Sequence, residues 1–366
     1  MFKRSFLNLG EGGESLNRRI YAEVSSTLIP IIDSFIGYFG SSEFLNFLAN
    51  PWCFSLLCRS VGLNNETAGN VALVVSVLSD NIEKDWEINA AGGLYAKRFT
   101  VPETVEKVAT VMGISEKQVE WLKYSSRMTA KVDDVAVQDG FRLWLHVIIF
   151  NTKAEWAVIQ IASKAGFNRL YQWYSGKLSY SRFTLEPHTG VSSAMKSLYS
   201  LDFTLQKNLE LQRGCIEVLS YPLNRLKSLK FAFNANQTRL SDFTSGAVSA
   251  DTNPLTAPVR VNWTAIAKIT ETAPSDFEEL LAIRGLGAET LRFLAICCNR
   301  LLNITPCLDD VATLFSEVAE GPPKDGKTYQ IAWDFIEAVR YSRLQGEKSR
   351  AIASKLASMV ERFTTS

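Results

Sequence analysis

The sequence predicts an α+β protein that is mostly helical, with a small antiparallel sheet between helical regions. Three observations predict this class: helical apolar spacing before residue 125, β-branched and aromatic runs between 141 and 174, and a return of helical spacing after 262. With 366 residues, the chain is long enough for two or three domains. The predicted regions are 1–125 (helical), 126–232 (sheet and long helix), 233–258 (linker) and 259–366 (helical).

The composition excludes several classes of protein. Lysine and arginine total 39 against 38 aspartate and glutamate residues, a net charge of +1, so a uniformly basic nucleic-acid coat and an acidic tail protein are both excluded. Six cysteines without paired C-x-x-C spacing, and only two histidines, make a structural zinc site unfavourable. No secretory signal or uninterrupted apolar run of membrane length is apparent, so we expect a cytoplasmic protein without membrane contact.

The N-terminal region is predicted to be helical on its three- and four-residue apolar spacing. Pro102 suits a first helical position, and Ser115 with Gln118 has capping-box spacing. The glycine-containing segment 90–98 is interpreted as a turn, either an ordinary loop or a backbone cradle for a phosphate. The predicted helices are 20–39, 43–62, 68–82, 103–112 and 115–124.

Three antiparallel strands are predicted at 141–150, 155–162 and 168–174. Because strand side chains alternate between faces, one face is mostly apolar and the other mixes cations with aromatics. The mixed face would either stack unpaired bases and hold their phosphates, or lie buried under the helices. Its predicted members are Arg142, Trp144, His146, Trp156, Val158, Gln160, Arg169, Tyr171 and Trp173.

Beyond the sheet, a long helix is predicted over 194–219 because apolar residues continue at helical spacing up to Pro222. The stretch 234–258, rich in Asn, Ser, Thr, Ala and Pro, is typical of a linker. Residues 262–361 return to helical periodicity.

The most specific local pattern is 276–295, where two apolar helical segments flank Gly285-Leu286-Gly287. This pattern resembles a helix-hairpin-helix element, which occurs in many DNA repair and recombination proteins. Glycines permit backbone conformations closed to other residues, so amides at the start of the second helix can bind a phosphate. The alternative is a helical corner that needed only a glycine turn. The predicted DNA contacts are Arg284, Gly285, Leu286, Gly287, Ala288, Thr290 and Arg292, with Arg142, Arg169, Tyr171 and Trp173 on the sheet.

A second candidate site lies between the N-terminal helices and the first strand. Asp133, Asp134 and Asp139 offer hard oxygen donors that suit Mg²⁺ or Mn²⁺, and such an ion activates water against a phosphodiester. Alternatively, Asp133 and Asp134 cap a turn, and Asp139 with Gly140 introduces the strand. His188 follows Glu186-Pro187 and suits either a turn or a functional role. The remaining candidates are Gln138 and Gln160 as orienting groups and Lys131 and Arg169 as cations for a phosphate.

Several of these motifs together resemble the mainly archaeal family DUF763. The motifs are 126–140, 156–160, 169–173, 186–188 and the hairpin. The family name assigns no activity, and the resemblance implies nuclease or repair work on DNA through the hairpin. The family's histidines are missing near 8–13, 64–69 and 258–261. If those positions carry the chemistry in other members of the family, this departure implies a member that kept binding and lost catalysis.

Three functional hypotheses follow. The first is a DNA-processing protein, a metal-dependent nuclease on branched or partly single-stranded DNA. The second is a non-catalytic DNA-binding or scaffold protein, and the third is a helical adaptor whose hairpin contacts protein. DNA is the expected partner, alongside a second copy of the chain or a repair protein.

Overall fold

The computed structural model describes residues 10–64, 67–94, 100–178, 182–235, 253–257, 259–321 and 326–364. Most of the predicted linker therefore lies outside the described residues. The chain is an α+β protein dominated by helices, as the sequence predicts. A sheet lies between two helical layers, and each layer has its own hydrophobic core.

The first layer begins with three N-terminal helices, α1 (Gly10–Ala49), α2 (Pro51–Ser60) and α3 (Ala68–Asp80). Gly40 kinks α1 with a φ of 83°. Asn50 ends α1 and caps α2, because its side chain accepts from the amides of Trp52 and Cys53. The segment Arg18–Ala49 is long and apolar enough to cross a membrane by length and composition, a test that a core helix also passes. Its residues Leu28 to Leu48 supply much of this first core.

The sheet has six strands in the order β1-β3-β4-β5-β6-β8. The predicted meander is present and antiparallel, and β6 pairs with β8 in parallel. A separate pair, β2 with β7, lies beside it. The strands are β1 (Ile88–Leu94), β2 (Val137–Gln138), β3 (Arg142–Asn151), β4 (Trp156–Lys164), β5 (Phe167–Tyr174), β6 (Gly190–Ser193), β7 (Leu201–Asp202) and β8 (Thr313–Leu314).

The glycine segment at 90–94 is a strand, so the predicted turn there is wrong. β1 pairs with β3 over its whole length. Gly92, with a φ of 116°, lies so close to β3 that a Cβ would stand 2.1 Å from the carbonyl oxygen of His146. Glycine at position 92 therefore allows β1 and β3 to approach each other closely. Residues 95–99, which contain the two cations of the expected phosphate cradle, lie outside the described residues.

The second layer carries the helices that surround the candidate sites. It contains α4 (Thr100–Val111), α5 (Glu116–Lys131), α6 (Ser175–Leu178), α7 (Leu209–Val218), α8 (Leu223–Ala235), α9 (Trp263–Thr272), α10 (Phe277–Ala282) and α11 (Ala288–Leu301). The long helix expected over 194–219 is wrong, because only its last part is helical. Leu201 and Phe203 instead lie in and beside β7, which pairs with β2, and both are buried. Residues 201–205 are continuously buried, so the apolar side chains of this segment do not mark one face of a helix.

The C-terminal region divides between the two layers. Helices α9 to α11 share their core with α5 and α7 on one side of the sheet. Beyond β8, α12 (Phe315–Ala319), α13 (Gly326–Tyr341) and α14 (Gly346–Thr364) pack with α1 and α2 on the other side. The hairpin of α10 and α11 therefore lies against the segment that follows α5.

Candidate functional site

A π-helical turn at Val132–Ala136 connects α5 to β2. π-helical turns are rare and occur frequently at functional sites. The turn buries Asp133 beneath the sheet, whereas Lys131 and Gln138 at its two ends contact the hairpin. One short segment therefore borders a buried polar cluster on one side and the hairpin on the other.

Asp133 is the centre of the buried cluster. Its Oδ1 lies 2.5 Å from His188 Nε2, and its Oδ2 accepts from Gln160 and, at 2.9 Å, from Trp173 Nε1. The side-chain oxygen of Gln160, Oε1, accepts a hydrogen bond from His146 Nδ1 at 3.0 Å. This acceptor assigns the His146 proton to Nδ1, so its Nε2 accepts from the Ser126 hydroxyl at 2.9 Å.

Burial alters the titration of this cluster. Desolvation raises the pKa of Asp133 above its ordinary value, although the facing His188 opposes the shift. Desolvation lowers the pKa of His146 from 6.5 to about 4, although its bond to Gln160 opposes this. His146 is therefore neutral at neutral pH and serves as a hydrogen-bonding link.

A second buried cluster surrounds Arg169 and shares the same face of the sheet. The guanidinium bridges two carboxylates, with 2.6 Å to Asp139 and 2.5 Å to Asp310. The Tyr171 hydroxyl donates to the same Asp139 oxygen at 2.5 Å, while the Phe141 amide donates to the other at 2.9 Å. Burial raises the pKa of Asp139, and the Arg169 charge works against that rise. Asp310 has no local sequence signal, because it follows Arg169 by 141 residues.

The predicted aromatic and cationic surface lies inside the molecule. Arg169, Tyr171 and Trp173 are at most 1% exposed, so these side chains are not available to a DNA strand in this structure. Their burial corrects the prediction that these three side chains contact DNA. They belong to a sheet face that lies beneath helices, which is the alternative that the sequence left open. Arg142 alone of the four predicted sheet contacts is exposed. A β-bulge between Leu143 and Leu145 also separates Trp144 from the face of His146.

The geometry of the aspartates does not fit a divalent cation. The carboxylate oxygens of Asp133 and Asp139 face N–H, O–H and guanidinium donors, which would repel a metal ion. Across the part of the chain that the structure describes, no group of three or more His, Cys, Asp or Glu side chains is placed to hold a metal. Asp133, Asp134 and Asp139 therefore form no three-carboxylate site here.

The hairpin turn has the backbone geometry that its glycines predict. The Leu286 amide bonds to the Ile283 carbonyl at 3.4 Å, and Gly285 has a φ of 99°. A type II turn needs this positive φ at its third residue, which favours glycine. Gly285 is exposed, whereas Leu286 is 3% exposed and anchors the turn in the core. A Cβ placed on Gly287 would meet nothing within 4 Å.

The start of α11 is open on its amide side. Gly287 occupies the N-cap position and provides no side-chain cap for this 14-residue helix. Among the described residues, none accepts a hydrogen bond from the amides of Gly287, Ala288 or Glu289. Unpaired amides together with the helix dipole favour an anion at such a position.

The other predicted hairpin contacts serve mostly internal roles. Thr290 is buried, and its hydroxyl accepts from the Asn262 amide at 3.0 Å. Arg292 is half-buried, and desolvation lowers its pKa. Arg284 is exposed at the turn. No local sequence pattern points to Glu289, whose carboxylate accepts from the Arg260 amide at 2.7 Å beside the open amides.

The carbonyl side of the hairpin is held by side chains from outside it. Lys131 Nζ donates to the Ile283 carbonyl at 2.8 Å, and Gln138 Nε2 donates to the Ala288 carbonyl at 2.9 Å. Asn262 Nδ2 donates to the Gly285 carbonyl at 3.3 Å. Lys131 and Gln138 thus both contact the hairpin.

The architecture defines a mostly helical α+β protein with a buried polar cluster and an open helical hairpin. A family model described as "Protein of unknown function (DUF763)" matches residues 19–331. The chain belongs to this family. No curated protein and no solved structure matches it in the comparisons made.

Proposed function

We propose that this protein binds DNA through a helix-hairpin-helix element formed by α10, the turn at 283–287 and α11. One observation carries the proposal: the amides of Gly287, Ala288 and Glu289 have no acceptor among the described residues. These amides stand at the positive end of a helix dipole, and Gly287 has no side chain to block approach. A phosphodiester oxygen matches this chemistry.

The proposed contact positions the backbone of DNA and does not read its sequence. Backbone amides that bind phosphate carry no base information. Arg284, exposed in the turn, adds a positive charge next to the amides. The near-neutral net charge of the chain indicates a local contact with few phosphates, because extensive phosphate neutralisation would need a basic surface.

The substitution Gly287→Asp tests this proposal. The N-cap backbone, with φ −112° and ψ 169°, suits an aspartate whose carboxylate accepts from the first-turn amides. The variant should therefore keep or raise its free energy of unfolding while its own carboxylate occupies the phosphate site. Fluorescence anisotropy with labelled duplex, forked and single-stranded DNA should show an affinity at least about ten-fold lower.

The matched control is Gly69→Asp, which places the same charge in the first turn of α3 at an exposed glycine that, like Gly287, has open space around it. This control should bind DNA like the wild type. An equal loss of DNA affinity in both variants would mean that the added negative charge, and not its position at the hairpin, weakens binding. Wild-type affinity in Gly287→Asp would remove the hairpin from the proposed interface.

A second candidate function is cleavage of the bound DNA by acid–base chemistry. The observation that favours it is the pairing of His188 with the buried Asp133, since a carboxylate of raised pKa next to an imidazole is typical of acid–base sites. Labelled fork and flap DNA with Mg²⁺, Mn²⁺ or EDTA tests it. Cleavage abolished by His188→Gln, with binding retained, would establish an enzyme; binding without cleavage in every condition would leave a DNA-binding protein.

A further inference from the structure

Helix α8, which packs against α11, is basic in a chain whose charges balance overall. No acidic residue occurs in the sequence between Glu217 and Asp242. Leu226 of this helix is buried in the core that α8 shares with α11. The basic side chains therefore lie on the remaining surface of a helix that borders the hairpin. They are Arg225, Lys227 and Lys230.

Trp263, at the start of α9, holds one of these cations against the hairpin. The Lys227 ammonium lies 5.8 Å from the centroid of the Trp263 ring. The same ring contacts Phe293 of α11 edge-to-face, with 5.7 Å between the two centroids. Because Phe293 follows Glu289 by four residues, both lie on one side of α11, about 6 Å apart along its axis. Lys227 is therefore held beside the first two turns of α11.

Arg260 brings a further cation to the same side of α11. Its backbone amide donates to the Glu289 carboxylate at 2.7 Å, and the Asn262 amide donates to the Thr290 hydroxyl at 3.0 Å. The segment 260–262 thus runs along the start of α11, where the open amides are. The Arg260 side chain is exposed there.

These cations are not paired within the part of the chain that the structure describes. No carboxylate there lies within ion-pair distance of Arg260, Lys227 or Lys230. The Trp263 indole attracts the Lys227 ammonium but carries no net charge to cancel it. Lys230, three residues after Lys227, extends from the same side of α8. Several unpaired cations beside an anion site match a ligand with repeated negative charges, as the DNA backbone has.

We propose that Arg260, Lys227 and Lys230 form a second contact with the DNA backbone, next to the hairpin on the α8 side of α11. This inference rests on the proposed DNA-binding function and adds the course of the bound strand to it. One strand carries a charge for about every 3.4 Å of the duplex axis, so a strand that leaves the open amides along this side meets the cations with its next phosphates. The contact is electrostatic and does not read the sequence.

The salt dependence of DNA affinity tests this contact. Loss of one phosphate contact reduces the slope of log K against log salt by about 0.9 on duplex DNA. Lys227→Met and Arg260→Met, which keep an extended side chain without its charge, should each show this reduction. Each variant should also bind about three- to ten-fold more weakly than the wild type in low salt. Lys227→Arg should restore the wild-type slope.

Arg225→Met is the matched control. Arg225 lies two residues before Lys227, about 200° around the same helix, and its Cζ is 4.5 Å from the centroid of the Tyr221 ring. The variant loses the same charge on another side of α8 and should keep the wild-type slope. An equal reduction in Arg225→Met would mean that the overall charge of α8, and not a defined contact, strengthens binding, and it would overturn the inference.

Lysine footprinting gives a second readout, which needs no variant. Saturating DNA should protect Lys227 from acylation, while the exposed Lys117 on α5 should stay reactive. An equally reactive Lys227 with and without DNA would overturn the second contact.

The variants also separate this contact from the hairpin. If Gly287→Asp weakens binding while Lys227→Met and Arg260→Met keep the wild-type affinity and slope, the second contact is overturned and the proposed function stands. If Lys227→Met and Arg260→Met weaken binding and Gly287→Asp does not, the hairpin contact fails and the second contact stands. A wild-type protein that binds no DNA would overturn both.

Discussion

The two polar regions on either side of the π-helical turn use their hydrogen-bonding groups in opposite ways. In the buried clusters, the oxygens of Asp133 and Asp139 already accept from imidazole, amide, indole, guanidinium and hydroxyl donors. At the hairpin, the carbonyls are held but three consecutive amides face no acceptor among the described residues. Buried polar groups must be paired, whereas exposed amides remain available for a ligand.

This difference separates a region that fixes the fold from a region suited to binding. Residue type alone does not distinguish the two regions. Aspartate, arginine, lysine and glutamine can each either stabilise a fold or bind a ligand. The closed cluster supports the segment that carries Lys131 and Gln138, and the open hairpin receives their bonds. The two regions therefore make different predictions for stability and for binding.

The largest expected effect is on stability in the closed cluster. Arg169→Met leaves Asp139 and Asp310 buried without their shared guanidinium. Breaking a buried ion pair on one side costs about 3–5 kcal/mol, so the free energy of unfolding in urea should fall by about that amount.

The control for Arg169→Met is Lys207→Met, which removes an exposed partner of Asp309 and should leave stability nearly unchanged. Equal stability of the two variants would mean that the closed cluster does not support the fold.

The next effect is a pH dependence that comes from His146. Its pKa falls from 6.5 in the unfolded chain to about 4 in the folded protein, so the folded state resists protonation. Its contribution is full above pH 6.5 and is lost as pH falls toward 4, by about 3 kcal/mol in total. The raised pKa values of Asp133 and Asp139 act in the opposite direction, because protonation favours their folded forms.

A difference measurement isolates the histidine. Urea unfolding of the wild type and of His146→Gln, which keeps a donor and an acceptor, should diverge between pH 6.5 and 4. The variant should lose less stability than the wild type as the solution is acidified. Parallel pH curves would show that His146 is not kept neutral by burial.

The smallest effect concerns the one acidic side chain identified at the open helix start. Glu289→Gln removes a negative charge beside the amides while an amide oxygen can still accept from Arg260. Charges at helix ends are worth about 0.3–1 kcal/mol, so DNA affinity should rise by about two- to five-fold in anisotropy titrations. An unchanged affinity at low salt would place the phosphate away from this terminus.

The sequence predicts local features of this fold well and long-range ones poorly. Helical spacing and the glycine pattern predict the N-terminal helices and the α10–α11 hairpin, because both depend on neighbours within a few residues. The strand at 201–202 was missed because its pairing with β2 is non-local. A bulge at Leu143–Leu145 changed which side chains share a face.

The same limit applies to the candidate site. The sequence draws attention to Asp133, Asp139, Gln160 and His188, but their arrangement as hydrogen-bond partners depends on contacts 27 to 55 residues apart. The bond between Lys131 and Ile283 spans 152 residues. Local spacing therefore assigned Lys131 to the nearby aspartates, although the folded chain brings it to the hairpin.

Residue-resolved amide hydrogen exchange with and without saturating DNA tests the central claim most directly. The account predicts that Gly287, Ala288 and Glu289 exchange more slowly when DNA is bound, and that Gly287→Asp loses this DNA-dependent protection. Saturating DNA binding that leaves exchange at these three amides unchanged would contradict it.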